Sequence, residues 1–223
     1  MQHTNILQIN TAFSEASIAI SCNGELLLEM RNPDQYDHAA FLQPAILELC
    51  TKTNVSLNEL HAVSVINGPG SYTGLRVGLA SAKGICYALN IPLICINTLE
   101  WMAVGNASNN HDWVCAMIDA RRNEVFTALY DQDGKLLLPA TAMVLDENSF
   151  EPELEEHPIR FIGNGAEKWK ALCKHKNALF PTSLENAIHL ASISFQYYSQ
   201  SKFADLAYSE PFYIKEFYST QKK

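Results

Sequence analysis

No stretch of about 18 apolar residues occurs anywhere in the sequence, so no segment has the length and hydrophobicity of a membrane span. The six cysteines, Cys22, Cys50, Cys86, Cys95, Cys115 and Cys173, include no C-x-x-C pair and suggest neither a zinc site nor a disulfide framework. Several stand inside apolar runs, such as Ile94-Cys95-Ile96 and Val114-Cys115-Ala116, where a free thiol behaves as a small core hydrophobe. The seven histidines are equally scattered and suggest no metal centre. Met1-Gln2-His3-Thr4-Asn5 lacks the basic start of a secretory signal, so a cytoplasmic location is expected. Positive charge is scarce as well: 16 Lys and Arg stand against 24 Asp and Glu, a net charge of −8. That balance argues against a stand-alone nucleic-acid binder, because attraction to phosphates supplies most non-specific affinity.

What the sequence has is length and apolar patterning. Its 223 residues are 48% apolar, enough for one large domain or two smaller lobes. Asn5 to Asn10 is apolar, Ala16 to Cys22 alternates, and Asn23-Gly24 turns the chain into Glu25 to Arg31, a hairpin signal. A helix capped by Asp37 is expected from His38 to about Thr53, with Pro44 near its start. Ser56-Leu57-Asn58-Glu59 has the S-x-x-E form of a capping box. A strand from Ala62 to Asn67, a helix from about Thr73 to Leu89 and a strand from Pro92 to Ile96 complete a βββαβαβ order.

The second half begins the same way. Leu7 to Ala12 can be laid on Ala116 to Arg121, so that Ile9 meets Ile118, Asn10 meets Asp119, Glu15 meets Glu124 and Ala19 meets Ala128. One inserted residue later, Gly24 to Leu28 meets Gly134 to Leu138. This repeat predicts two related lobes, the first over 1–102 with 203–223 returning to it, the second over 103–202. Helices near Asp146 to Glu156, Glu167 to His175 and Leu184 to Lys202, a strand Ile159 to Gly163 and a last short strand Pro211 to Ile214 are expected to complete the chain.

Duplicated βββαβα lobes are the plan of the superfamily of actin, hexokinase and Hsp70, whose lobes are ribonuclease H-like and hold nucleotide between them. The expected fold class is therefore α/β, with two actin-like or Hsp70-like (ASKHA) lobes. In that superfamily an acid ends the first strand of each lobe. Here lobe two has Asp119 but lobe one has Asn10, an amide that brings no charge to a cation.

Five of the ten glycines fall between Gly68 and Gly84, in Asn67-Gly68-Pro69-Gly70-Ser71-Tyr72-Thr73-Gly74-Leu75-Arg76-Val77-Gly78. The segment joins a strand to a helix, but it is a poor phosphate cradle. No lysine follows Gly74 as a Walker loop requires, and the third glycine comes one residue late for a dinucleotide fingerprint. The next strand ends at Asn97 where an acid would hold a ribose, and Pro69 removes one backbone N–H. As a generic glycine loop it reads first as a tight turn before a capped helix.

As a longer string, Gly68-Pro69-Gly70-Ser71-Tyr72-Thr73-Gly74-Leu75-Arg76-Val77-Gly78 closely resembles the signature of the bacterial TsaB (YeaZ) family of tRNA threonylcarbamoyladenosine biosynthesis proteins. Ile9-Asn10-Thr11-Ala12, Ile118-Asp119-Ala120-Arg121 with Glu124-Val125, and Glu210-Pro211-Phe212-Tyr213-Ile214 match in order. The resemblance departs at Asn10, usually Asp, and at Arg122-Asn123, usually small or glycine. It implies a small pseudo-enzyme that pairs with a catalytic relative, TsaD. With the ATPase TsaE, that assembly threonylcarbamoylates N6 of adenosine 37 in tRNAs reading codons that begin with A. ATP and metal are expected on the partner subunits, with none bound by this chain, and tRNA contact only through the complex. TsaD carries a His-x-x-x-His motif on its first helix; this chain has His38 there but Leu42 four residues on.

The resemblance also places the partner surface, shared with TsaD or with a second copy when TsaD is absent, on the first two helices. The candidate interface residues are His38, Phe41, Ala45, Gly74, Gly78, Ser81, Ala82 and Ile85, with Gly68, Pro69, Gly70, Ser71, Tyr72, Thr73 and Arg76 forming the signature loop. Small residues at Gly74, Gly78, Ser81 and Ala82 equally suit packing on the chain's own sheet. Arg76, a cation in the first turn of a helix, opposes the dipole and is expected either to pair with a carboxylate or to snorkel. Lys168 to Lys176 reads as a solvated helix face ahead of a tRNA contact, and Gly163-Asn164-Gly165, where relatives of this fold keep an adenosine or phosphate loop, as a turn. Two rival functions remain: a free-standing small-molecule kinase or ATPase, weakened by Asn10, and a metallopeptidase, weakened by Leu42.

Overall fold

In a computed structural model the chain forms two five-stranded sheets with helices, and residues 3–34, 37–107, 111–182 and 187–215 are described. The first sheet contains β1 (Asn5–Asn10), β2 (Ala16–Cys22), β3 (Glu25–Asn32), β4 (Leu60–Gly68) and β5 (Leu93–Asn97), in the order β3-β2-β1-β4-β5. β1 to β3 form an antiparallel meander, while β4 and β5 run parallel to β1. The second sheet contains β6 (Trp113–Asp119), β7 (Glu124–Tyr130), β8 (Leu136–Val144), β9 (Ile159–Ile162) and the two-residue β10 (Ala178–Leu179), ordered β8-β7-β6-β9-β10. Its strands pair in the same senses. Two copies of one βββαβα topology are thus present, the duplicated actin-like and ribonuclease H-like plan.

The helices repeat the correspondence. α1 (His38–Thr53) and α4 (Glu151–Glu156) follow the third strand of each sheet, and α2 (Tyr72–Leu89) and α5 (Ala166–Leu172) follow the fourth. α3 (Thr98–Gly105) and α6 (Ala187–Ser199) complete the set. α3 is an element beyond those the sequence pattern predicts. Asn97 starts it, its Oδ1 accepting from the N–H groups of Leu99 (2.9 Å) and Glu100 (3.4 Å), so a strand end that lacked a ribose-binding acid is a helix cap. At Ser56 the expected capping box forms, with both the backbone N–H and the hydroxyl donating to Glu59 Oε2. Asp37 precedes α1 without a side-chain cap bond. Among the described residues no helix is long and apolar enough to cross a membrane.

The first sheet is covered on both faces. Leu7, Ile9, Ile18 and Ile20 meet Leu42, Ile46 and Leu49 of α1 and Leu79, Ala82 and Cys86 of α2 in one buried cluster. Fully burying each of the larger side chains is worth about 1.5–3 kcal/mol. α3 and α6 pack on the other side, where Ser194 on α6 lies 2.7 Å from Ser64 on β4, hydroxyl to hydroxyl, and Tyr197 donates to Glu100.

Contacts divide the chain into Met1–Asn106 with Leu184–Pro211, and Ala107–Ser183 with Phe212–Lys223. The first unit therefore takes α6, which the sequence reading had put in the second lobe over 103–202. The reason is tertiary: Leu190, Ala191, Ser194 and Tyr197 bury one helix face against the first sheet and α3. Of the expected return over 203–223, residues 203–211 lie in the first unit, where Ala204 N–H donates to Leu93 O on the edge of β5. From Phe212 the chain belongs to the second unit, where Lys215 pairs with Glu124. Pro211 to Ile214 does not form the expected strand. The expected helix start at Leu184 and residues 216–223 lie outside the described residues.

The repeat register needs one correction. Ile9 pairs with Ile18 in the first sheet and Ile118 with Phe126 in the second, so Ile18 corresponds to Phe126. The sequence matches of Glu15 to Glu124 and Ala19 to Ala128 are each off by one, because the turn between β6 and β7 is a residue shorter than that between β1 and β2.

Candidate functional site

The signature loop leaves the C-terminal end of β4 and enters α2, whose Ser71 Oγ accepts from Gly74 N–H (3.3 Å). Its glycines are used within the chain. A Cβ at Gly74 would stand 2.0 Å from Thr11 O, one at Gly70 2.5 Å from Ala12 O, and one at Gly78 2.3 Å from Thr11 Oγ1. Thr11 Oγ1 donates to Gly74 O (2.7 Å), and Ser71 N–H donates to Ala12 O (2.7 Å). The turn after β1 thus fills the space and takes the donor that a phosphate would need.

Gly74, Gly78 and Ala82, expected on the partner side, consequently face their own sheet and are buried. His38 and Ala45 on α1 are buried too, His38 Nε2 lying 3.0 Å from Phe13 O. Phe41, Ser81 and Ile85 are half-buried, and Phe41 and Ile85 pack against the core. What α1 and α2 leave outward is a different set at helical spacing: Ala40, Pro44 and Leu47 on α1, and Ala80, Gly84 and Tyr87 on α2, while Val77 packs on the core. Leu47 is 60% exposed and Tyr87 82%, and a Cβ at Gly84 would meet nothing within 4 Å. Sequence reasoning missed this stripe because small residues occupy both faces of α2 and only the register against β1 separates them. Arg76 is exposed and lays its guanidinium over the Tyr72 ring, 4.2 Å from the centroid, a cation–π contact. Thr73 is exposed, and Gly68 and Pro69 are buried at the end of β4.

The equivalent point of the second sheet has different chemistry. Asn10 Oδ1 accepts from Ala12 N–H (3.1 Å), and Asp119 Oδ1 accepts from Arg121 N–H (2.6 Å), so both residues close the same turn. An amide does this as well as a carboxylate, which accounts for Asn10. Asp119 is further held by Lys168, whose ammonium donates to Asp119 Oδ1 (2.5 Å), Arg122 O (2.5 Å) and Glu124 O (3.4 Å). The Lys168 hydrogen bond is the main reason the Asp119 carboxyl lies below its ordinary range. Asn164 Oδ1 accepts from Asp119 N–H (2.8 Å), and Gly165 presses on the backbone of Met117 and Ile118, so Gly163-Asn164-Gly165 serves packing. Lys168 had been read as solvent-facing; its partner lies 49 residues away, and no local pattern announces it. Among the described residues no group of three or more His, Cys, Asp and Glu could hold a metal ion.

A family model described as TsaD, tRNA N6-adenosine threonylcarbamoyltransferase, matches residues 34–216. The tRNA threonylcarbamoyladenosine biosynthesis protein TsaB of Buchnera aphidicola subsp. Baizongia pistaciae is 30% identical over 85% of this chain and 83% of its own. The chain belongs to this family, on its TsaB branch. TsaB of Escherichia coli K12 is 28% identical over 94% of both chains. A Pseudomonas aeruginosa protein with similarity to peptidase YeaZ superposes with a TM-score of 0.80 at 24% identity, covering 95% of this chain and 100% of its own, which establishes the shared fold. Membership ties the chain to threonylcarbamoyladenosine biosynthesis on tRNA, and the features that mark TsaB in sequence have local explanations: the signature glycines admit the turn after β1, and the Asp119 motif closes the equivalent turn after β6.

Proposed function

We propose that the chain is a non-catalytic subunit on which the TsaD transferase assembles and is activated, through the outward stripe of α1 and α2. The observation that carries this reading is the occupation of the signature loop by Thr11 and Ala12, which leaves the chain's most distinctive motif no room for a phosphate. Two further facts support it: Lys168 neutralises Asp119, and Asn10 brings no charge to the first lobe. ATP and metal then belong to TsaD and TsaE, tRNA is the substrate of the whole assembly, and the work is done in the cytoplasm. Without TsaD the same apolar stripe, centred on Leu47, Gly84 and Tyr87, pairs two copies of the chain.

The test is co-purification with TsaD of the same organism, followed by tRNA modification with and without this chain. Stable co-elution and modification that requires the chain are expected. Modification by TsaD and TsaE alone at the full rate would overturn the activating role. A calorimetric titration with Mg-ATP separates this reading from a free-standing kinase, which would give saturable heat.

A further inference from the structure

The turn between β6 and β7 has a feature the proposed assembly role does not use. Arg121 and Arg122 both adopt left-handed backbone conformations, with φ of +69° and +50°. Two successive bulky residues there are unfavourable, because Cβ crowds the backbone. The fold nevertheless fixes the turn firmly. Arg121 N–H donates to Asp119 Oδ1, Glu124 N–H to Arg121 O (3.2 Å), Ala120 N–H to Glu124 O (3.1 Å), and Lys168 Nζ to Arg122 O. Each of these bonds engages backbone of the turn and leaves the guanidinium groups outside.

The two carboxylates that flank the turn are already committed. Asp119 pairs with Lys168 and Glu124 with Lys215, each at 2.5 Å. Among the described residues neither Arg121 nor Arg122 has a side-chain hydrogen bond or ion pair within 4 Å, both are exposed, and Arg121 adds only a longer-range pull on the Asp119 carboxyl. With both flanking carboxylates paired to lysines, the turn presents two guanidinium groups without a hydrogen-bonded partner, on a chain whose net charge is −8. Both stand on a turn fixed by backbone hydrogen bonds, and guanidinium geometry matches phosphate oxygens two at a time.

We propose that Arg121 and Arg122 contact backbone phosphates of the tRNA on which the assembly acts. The inference rests on the proposed assembly role for the choice of RNA over other anions, and it replaces purely indirect tRNA contact with one direct point of attachment. The chain's overall charge keeps this contact weak and salt-sensitive, and it positions the RNA without reading its sequence.

Fluorescence anisotropy of a labelled, unmodified tRNA anticodon stem-loop, titrated with the whole chain at 50 and 200 mM salt, tests the proposal. Wild-type binding should fall steeply with salt. The double variant Arg121→Gln/Arg122→Gln should bind at least about fivefold more weakly at the lower salt, with a salt slope shallower by about 1.5. Its thermal midpoint and its co-elution with TsaD should not change. Superimposable wild-type and variant curves would overturn the proposal, as would no wild-type binding at 50 mM salt, or equal binding of a poly-glutamate peptide. If TsaD does not co-elute with the wild type, the assembly role fails, while the anisotropy result still decides this one.

Discussion

The carbonyl oxygen of Thr11 occupies the place where any side chain at position 74 would begin, 2.0 Å from a Cβ built on Gly74. The same threonine reaches back with its hydroxyl to Gly74 O, so strand end and helix start are joined in both directions. A motif that looks like a ligand cradle in one dimension is here a socket for the chain's own turn. Glycine at 70, 74 and 78 is required by this approach of backbone to backbone.

The glycines of α2 should therefore divide sharply on replacement by alanine. Gly78→Ala drives a methyl into Thr11 Oγ1, an overpacking expected to cost about 1–3 kcal/mol. Gly84→Ala meets open space on the same helix and should be neutral or stabilise by up to about 1 kcal/mol through helix propensity. Urea denaturation of both variants checks the contrast. Equal midpoints would show that α2 does not lie against Thr11 in this register.

Most of the strands and helices could be read from the sequence, because hydrophobic period and capping residues are local signals. The Asn-Gly hairpin, the Ser56–Glu59 box and the repeated strand order are of this kind. What escaped was set by distant partners. α6 joins the first unit through Ser194 and Ser64, 130 residues apart, and its sequence periodicity says only that one face is buried. The glycines at 74 and 78 were visible as small residues on a helix, but which face they line depends on Thr11, 63 residues earlier. A further case is Asn97, whose cap of α3 is a local pattern that was legible but read only for the acid it lacked.

The thiols should respond to modification according to burial. Complete burial pushes the Cys115 thiol up to about 12, and burial raises Cys86 to about 11. At pH 8 a thiol with a pKa near 11 is ionised to about one part in 1,000, too little for ready attack on a disulfide reagent. In the native chain Cys86 and Cys115 should stay silent toward an aromatic disulfide, while the half-buried Cys22 and Cys173 react first. All six should react in urea. Fast release of six equivalents from native protein would contradict the buried positions.

Lys168 and Asp119 give the second unit a defined acid sensitivity. Because Asp119 is held below the ordinary carboxylate range, its contribution to stability is complete above about pH 5 and is lost as pH falls through its folded value. Lys168→Met removes the partner and with it this part of the pH dependence. The wild type should exceed the variant in denaturation midpoint by a constant margin from pH 7 to about 5, and the margin should narrow below about pH 4 to what the bonds to Arg122 O and Glu124 O contribute. Asp119 is partly exposed, so the margin is modest. A margin that does not narrow down to pH 2 would assign the effect to the lysine's bonds to Arg122 O and Glu124 O and the packing of its stem rather than to Asp119.

The outward stripe of α2 offers the sharpest separation of folding from assembly. Ala80→Glu or Gly84→Arg places a charge on a face that meets none of the chain's own atoms at Gly84, so the monomer should keep its melting temperature within a few degrees. The same charge in a desolvated helix–helix contact would be left unpaired, at a cost of several kcal/mol. Co-elution with TsaD should weaken by at least about a hundredfold, and tRNA modification should fall with it. Gly78→Arg makes the control: it should lose assembly only by losing the fold, visible as lost cooperative unfolding. If Gly84→Arg still co-elutes with TsaD as the wild type does, the partner surface lies elsewhere on the chain. The exposed Leu47 of α1, replaced by Glu, then tells whether the first two helices take part at all.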